Sequence, residues 1–320
     1  MNAKAVHGKL AAIFQDTEDG TVIADKKDPG RFFYLRPSGF PYCGLRKLLE
    51  APKWLDDERL VSLGESFFTG VGTSVHTTYQ EFLGRSGQFV GNWKCLECAK
   101  VKKFTTYAKC SCGGDTRYEE LLVTYKNSVV GHTDGIFRVS PKKGKKSKHY
   151  VVDYKTTALY KVSSKDKHKT FPLRSNVEQI KMYVILLELT YGVTLDGWAL
   201  VYLGRDMPFG NRGRHIVVTD VSEKEKIKLR KKLDRWVKLH KKVLKVTKID
   251  QVDVINKYKL CASMKDYKDN WMDPYNPCSI APVCFDDKKR TAFATKTLKH
   301  RVYPLIEHAP RNIRENLEKK

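Results

Sequence analysis

The sequence predicts an α/β protein with a mixed central sheet flanked by helices and a small metal-binding insertion. Runs rich in β-branched and aromatic residues recur between turn-rich gaps, the pattern of strands in one sheet. Segments with readable start and stop signals alternate with them, the pattern of flanking helices. Cys95, Cys98, Cys110 and Cys112 crowd a short stretch between an early helix and the strands, which marks the insertion.

Four helices are expected. "SGFPYCGLRKLLEAP" offers Ser38 as N-cap, carries Cys43, and stops before Pro52. "GTSVHTTYQEFLG" offers Thr73 or Ser74 as cap, puts His76 in its first turn and stops at Gly84. "SNVEQIKMYVILLELTYG" has a capping box at Ser175 and Glu178 and ends at Gly192. "SEKEKIKLRKKLDRWVKLHKKVLK" has a second box at Ser222 and Glu225. It then sets Ile227, Leu233, Trp236, Val237 and Val243 against a dense basic face.

Five strands are expected, at "ELLVTYKN", "SVVGHTDGIFRVS", "HYVVDYKTT", "LDGWALVYLG" and "RHIVVTD". "PKKGKKSK" joins the second and third as a basic hairpin. It is no nucleotide loop, because Val139 and Lys146 stand where GxxxxGK[ST] needs glycine and a hydroxyl. The chain divides into an N-terminal region 1–72, a core 73–220 with the insertion at 93–114, and a basic helix with a cysteine-bearing C-terminal region, 221–320.

Sixty Lys and Arg against 36 Asp and Glu leave a net charge of +24 across 320 residues. An excess of this size favours a polyanionic partner, because cations that neutralise phosphates release bound counterions. Nucleic acid fits better than a membrane: no apolar run approaches the roughly 20 residues that span a bilayer, and no lipidation motif is present. The first twenty residues do not read as a signal peptide, so the expected compartment is the cytoplasm.

The chemistry centres on "HYVVDYKTTALY". Residues two apart on a strand share a face, so Asp153 and Lys155 project together. Alone, such a pair is an ordinary surface ion pair worth at most about 1 kcal/mol. One strand earlier, "GHTDGIF" holds Asp134 between Gly131 and Gly135. If the two strands pair through the basic hairpin, the carboxylates converge into a site for a hard divalent cation. Phosphodiester hydrolysis needs such a cation, and a lysine beside it can hold the attacking water and offset developing charge.

Asp134 followed by Asp153, Tyr154 and Lys155 resembles the metal-binding pattern of the PD-(D/E)XK nuclease superfamily, and its surroundings resemble the RecB-like branch. His76 in "GTSVH", and Gln179 with Tyr183 in a Gln-x-x-x-Tyr pattern on the following helix, match that branch in order over residues 73 to 183. The resemblance implies a restriction-endonuclease-like core. It implies that His76, Asp134, Asp153 and the Tyr154 carbonyl bind Mg2+ or Mn2+, that Lys155 is the catalytic lysine, and that Gln179 and Tyr183 support the site or contact DNA. The activity implied is exonucleolytic cleavage at single-stranded or duplex DNA ends in recombination, repair or phage DNA metabolism, with a helicase or recombination protein as a possible partner. A structure-specific or adaptation-type endonuclease, and a non-catalytic nucleic-acid-binding module, stay open. The basic helix 223–245, Arg174 and the 141–148 hairpin are candidate phosphate contacts.

Eight cysteines without a secretion signal point to metal rather than disulfides. Cys95, Cys98, Cys110 and Cys112 form two close pairs that can face each other around a zinc, in a knob that is either structural or touches DNA through Lys100, Lys102, Lys103 and Lys109. Cys43, Cys261, Cys278 and Cys284 resemble the four ligands of the 4Fe-4S cluster in the iron-sulfur nucleases related to AddB and to CRISPR adaptation nucleases. The chain departs from them at Tyr275, where the family usually has a cysteine, and Cys261 is left as the fourth ligand. A second zinc or unligated thiols are the alternatives.

Overall fold

The computed structural model describes residues 22–26, 33–40, 43, 58–139, 146–163, 171–205, 213–245, 284 and 311–318. Strand β1 (Val22–Lys26) pairs antiparallel with β2 (Glu58–Ser62) as a separate ribbon. Helix α1 (Leu63–Leu83) follows at once. The expected start at Thr73 or Ser74 therefore lies inside α1, as does the expected domain boundary at 72. Gly64, Gly70 and Gly72 are weak helix formers and read as a break, but the helix runs through them. The stop at Gly84 matches the end of α1.

Next come β3 (Phe89–Cys95), β4 (Val101–Thr105) and β5 (Thr116–Glu119), three strands of the cysteine-bearing region that the sequence reading did not separate. β4 and β5 are short and largely polar, and the β3–β4 register shifts between Gly91 and Trp93. Then β6 (Leu121–Tyr125) and β7 (Val129–Thr133) make a hairpin ribbon, followed by β8 (Gly135–Val139) and β9 (Lys148–Thr157). "SVVGHTDGIFRVS" is thus two strands in two sheets, not one. The break is at Asp134, where Gly135 takes a φ of 150°, a backbone that other residues rarely adopt.

Helices α2 (Leu159–Ser163) and α3 (Arg174–Tyr191) lead to β10 (Gly197–Gly204) and β11 (Arg214–Asp220). Helix α4 (Glu223–Leu244) follows, and α5 (Arg311–Glu318) lies near the C-terminus. Gly192 caps α3 in the left-handed conformation, as expected. The expected capping box at Ser175 and Glu178 does not form: Leu173 is the N-cap, and the Glu178 carboxylate is held by Lys232 at 2.6 Å. Ser222 does cap α4, accepting from the Glu225 backbone N–H at 3.3 Å.

The main sheet has seven strands in the order β11-β10-β9-β8-β3-β4, with β5 also on β3. Only β9 and β10 are parallel among these pairs, joined across α3, so the sheet is mixed but mostly antiparallel. Alternating side chains feed two apolar layers. Val151, Trp198 and Leu200 pack with α3 and α4, while Val152, Tyr154 and Ala199 pack towards Val75 and Tyr79 of α1. Helices therefore cover both faces.

The N-terminal region and the basic helix share this core. Leu35 bridges to Val129, and Phe40 stacks on Trp236 with ring centroids 4.7 Å apart. Ser38 sits in a short 3-10 turn, Pro37–Gly39, rather than capping an α-helix there. The remainder of that expected helix, 44–51, lies outside the described residues. Part of the α4 charge is spent internally: Lys226 is buried against Glu188 at 2.6 Å and Arg230 reaches the same carboxylate at 3.0 Å. Among the described residues, no helix is long and apolar enough to cross a membrane.

Candidate functional site

Four elements bring the expected residues together. Antiparallel β8 and β9 set Gly135 opposite Val152, so Asp134, just ahead of β8, stands beside the Asp153 end of β9. The Tyr154 backbone N–H donates to Asp134 Oδ2 at 2.6 Å. From α1, His76 Nδ1 approaches the same oxygen at 3.7 Å. Lys155 Nζ lies 2.8 Å from Asp153 Oδ2.

Burial makes this cluster electrically demanding. Asp134 and Asp153 are almost fully buried, at 7% and 4% exposure. Burial pushes the Asp153 carboxyl from 3.8 to about 6; the Lys155 ammonium opposes the shift and the charge of Asp134 adds to it. Asp153 Oδ2 accepts no hydrogen bond of regular geometry, and among the described residues its ion-pair partner is the Lys155 ammonium. Burial works against the charged form of His76, yet the Asp134 carboxylate beside it wins and holds the imidazole above its usual 6.5.

Gln179 and Tyr183, one turn apart on α3, are both buried and contact each other. The Tyr183 hydroxyl donates to the His132 backbone carbonyl, two residues before Asp134. The exposures of Gln179 and Tyr183 are 8% and 5%. The bond to Asp134 uses the Tyr154 N–H and not the carbonyl that is the expected metal ligand.

Three further residues belong to the site and were not singled out from the sequence. Gln80 Nε2 reaches Asp134 Oδ1 at 3.4 Å and Glu120 Oε1 at 3.1 Å. Glu120 precedes β6 and faces Asp134 across the β6–β7 ribbon, one step beyond the Leu121–Thr133 pair. Burial, then the charge of Asp134, raises its carboxyl above the ordinary value. Tyr118 donates its hydroxyl to the Asp134 carbonyl at 2.6 Å. The signal for Gln80 was available, since it follows His76 by four residues on one helix face; Glu120 and Tyr118 depend on strand register that the sequence alone did not give.

The second site is the cysteine knob. Cys95 ends β3, Cys98 follows in a turn, and Cys110 and Cys112 precede β5. Sulfur distances are 3.5 Å for Cys95–Cys112 and for Cys98–Cys110, and 3.6 Å for Cys98–Cys112. A tetrahedral Zn–S distance of about 2.3 Å implies sulfur edges of about 3.8 Å, so the spacing suits one tetrahedral ion. Four thiols this close cannot all ionise unaided. The Cys112 backbone N–H and the Cys98 thiol lower Cys110 to about 6. Although the Gly114 N–H favours its thiolate, Cys112 is pushed up to about 12 by its sulfur neighbours. The four cysteines could therefore bind a metal ion. Among the described residues they are the one set of three or more such donors with all ligand atoms within 4.8 Å; those of His76, Asp134 and Asp153 are not all that close.

Of the other four cysteines, Cys261 and Cys278 lie outside the described residues, while Cys43 is half-buried and Cys284 buried. Arg174, expected as a phosphate contact, opens α3 and is exposed; residues 141–145 of the basic hairpin lie outside the described residues. No protein-family model and no curated protein matches the chain.

Proposed function

We propose that the chain is a metal-dependent deoxyribonuclease of the PD-(D/E)XK type that hydrolyses phosphodiester bonds at DNA ends. The observation that carries this reading is the meeting of His76, Asp134, Asp153 and Lys155 from α1, the β7–β8 junction and β9, backed by Gln179 and Tyr183. A crossover from β9 through α3 to a parallel β10, with an antiparallel β8 beside β9, also suits a restriction-endonuclease-like core.

The residue types suit a hard divalent cation, and their donor atoms, which do not all lie within 4.8 Å of one another, would close around it on binding. They offer two buried carboxylates and an imidazole, and Asp153 Oδ2 is an acceptor with no regular hydrogen bond. His76, Asp134, Asp153 and the Tyr154 backbone carbonyl would hold Mg2+ or Mn2+. Such an ion, when bound, offsets negative charge on the phosphate oxygens and lowers the pKa of a water. Lys155, a quarter exposed at its side chain, extends from the buried carboxylate towards solvent. Its ammonium can hold the attacking water and stabilise charge that develops on the scissile phosphate. Gln80 and the Tyr154 N–H fix the two oxygens of Asp134, so this carboxylate is oriented before substrate arrives.

In the same reading the knob holds a structural zinc, and Cys43, Cys261, Cys278 and Cys284 hold a 4Fe-4S cluster. Incubation of linear and closed circular DNA with Mg2+ or Mn2+ tests the activity, with Asp153→Ala and Lys155→Ala alongside. Loss of linear DNA alone, abolished in both variants, is the expected result. Cutting of closed circles would replace the exonuclease by an endonuclease, and binding without cleavage in either metal would refute the catalytic reading.

A further inference from the structure

The cations of α4 divide into two populations. Lys226 and Arg230 pair with Glu188 of α3 and Lys232 with Glu178 of α3, while Lys226 also meets the exposed Glu223 of α4 itself. Lys224, Lys228, Lys231, Arg235, Lys238 and Lys242 are all exposed, and among the described residues none has a carboxylate at ion-pair distance. Their spacing alternates four and three residues, which returns to nearly the same face each turn and drifts by only about 20° per heptad. Over eighteen residues at about 1.5 Å each, the stripe runs roughly 27 Å along a straight helix.

From this geometry we infer that the outer face of α4 is a holding surface for the phosphate backbone of duplex nucleic acid. A rigid row of like charges costs self-repulsion that salt bridges elsewhere on the same helix do not relieve, and a duplex with one negative charge per roughly 1.7 Å of axis offsets it. Glu188 and Glu178 tie the first population to α3, which fixes the row in place. An anionic lipid surface fits less well, because membrane binding by a basic helix draws on an apolar face at the interface. The exposed large apolar residues include Ile227 alone from α4, and its Leu233, Trp236, Val237 and Val243 are buried in the core. Contacts of this kind set affinity without reading sequence.

This surface stands apart from the proposed catalysis, and the test is a binding measurement without added divalent cation, so a failed nuclease reading would leave it intact. The affinity of a duplex oligonucleotide is measured against salt for the whole chain, for Lys228→Gln/Lys231→Gln/Arg235→Gln/Lys238→Gln, and for a control of equal charge loss away from α4, Lys94→Gln/Arg117→Gln/Arg311→Gln/Arg314→Gln. Circular dichroism checks that each variant is folded. The stripe variant is expected to bind roughly 10- to 100-fold more weakly and to lose about three to four from the salt-dependence slope, near 0.9 per phosphate contact. The control should change much less. Unchanged affinity and slope in the stripe variant, equal losses in both variants, or binding to phosphatidylserine vesicles with none to duplex would each overturn the inference.

Discussion

The Tyr118 hydroxyl donates to the backbone carbonyl of Asp134 at 2.6 Å and ties the strand that closes the cysteine knob to the residue at the centre of the carboxylate cluster. Tyr118 is held in turn by α1, since its backbone N–H donates to Glu81 at 2.9 Å. The ring fits because Gly91 and Gly135 lack side chains: a Cβ at Gly135 would come within 2.6 Å of the Tyr118 oxygen. Tyr118→Phe removes one buried hydrogen bond and leaves the shape, so a stability loss of about 1 kcal/mol is expected. Partners that orient ligands are typically worth 10- to 100-fold in metal affinity or activity. Mn2+ titration calorimetry on the variant should show a weakening of roughly that size; an unchanged affinity would detach Tyr118 from the site.

Asp153 and Lys155 should respond in opposite directions when stability is the readout. Asp153 is buried and its ionised form is disfavoured there, so Asp153→Asn should stabilise the protein without added metal while DNA cleavage falls on the order of 100-fold or more. Lys155→Ala leaves that carboxylate without its cation and should destabilise, because an unpaired buried charge is costly. Chemical denaturation of the two variants beside the wild type decides the matter. Two variants equally less stable than wild type would mean that the pair serves the fold rather than a site.

Metal analysis separates the two proposed cysteine sites. One zinc per chain is expected on the knob, lost in Cys95→Ser/Cys110→Ser, since two of four thiolates no longer close the tetrahedron. Iron and a brown colour in anaerobically purified protein should follow Cys278 instead and disappear in Cys278→Ser. Iron that disappears with Cys95 and Cys110 would move the cluster to the knob.

What the sequence disclosed follows from the range of the interactions involved. Asp153 with Lys155 shows as a two-residue strand period, and Gln179 with Tyr183 shows as a helix turn, because both relations are local. Pairing of β8 with β9 follows from one hairpin, and that brings Asp134 to Asp153. The start of α1 was misplaced because its glycines weigh against helix locally, yet the helix runs through them. The capping box of α3 failed because Glu178 has a stronger partner in Lys232, 54 positions away. Glu120 and Tyr118 were missed because their roles depend on which strand pairs with which across the knob.

Acid should loosen the ties around the sheet before it reaches the core. Burial raises the Asp234 carboxyl, but hydrogen bonds from Lys126 and Tyr125 outweigh it and the net shift is below the ordinary 3.8. Tyr150 and then Lys148 hold Asp220 below that value too. A carboxyl depressed in the folded chain stabilises above its unfolded pKa, and this contribution is lost as pH falls through the folded value. Both contributions should therefore be complete at pH 5 and disappear below about 3.8. Asp234 joins α4 to the turn of the β6–β7 ribbon, and Asp220 joins β11 to the start of β9. Asp220→Asn/Asp234→Asn should lower stability modestly at pH 7 and flatten its decline between about pH 5 and 3 relative to wild type. Urea unfolding at stepped pH measures this; parallel curves for the two proteins would show that other carboxyls carry the acid sensitivity.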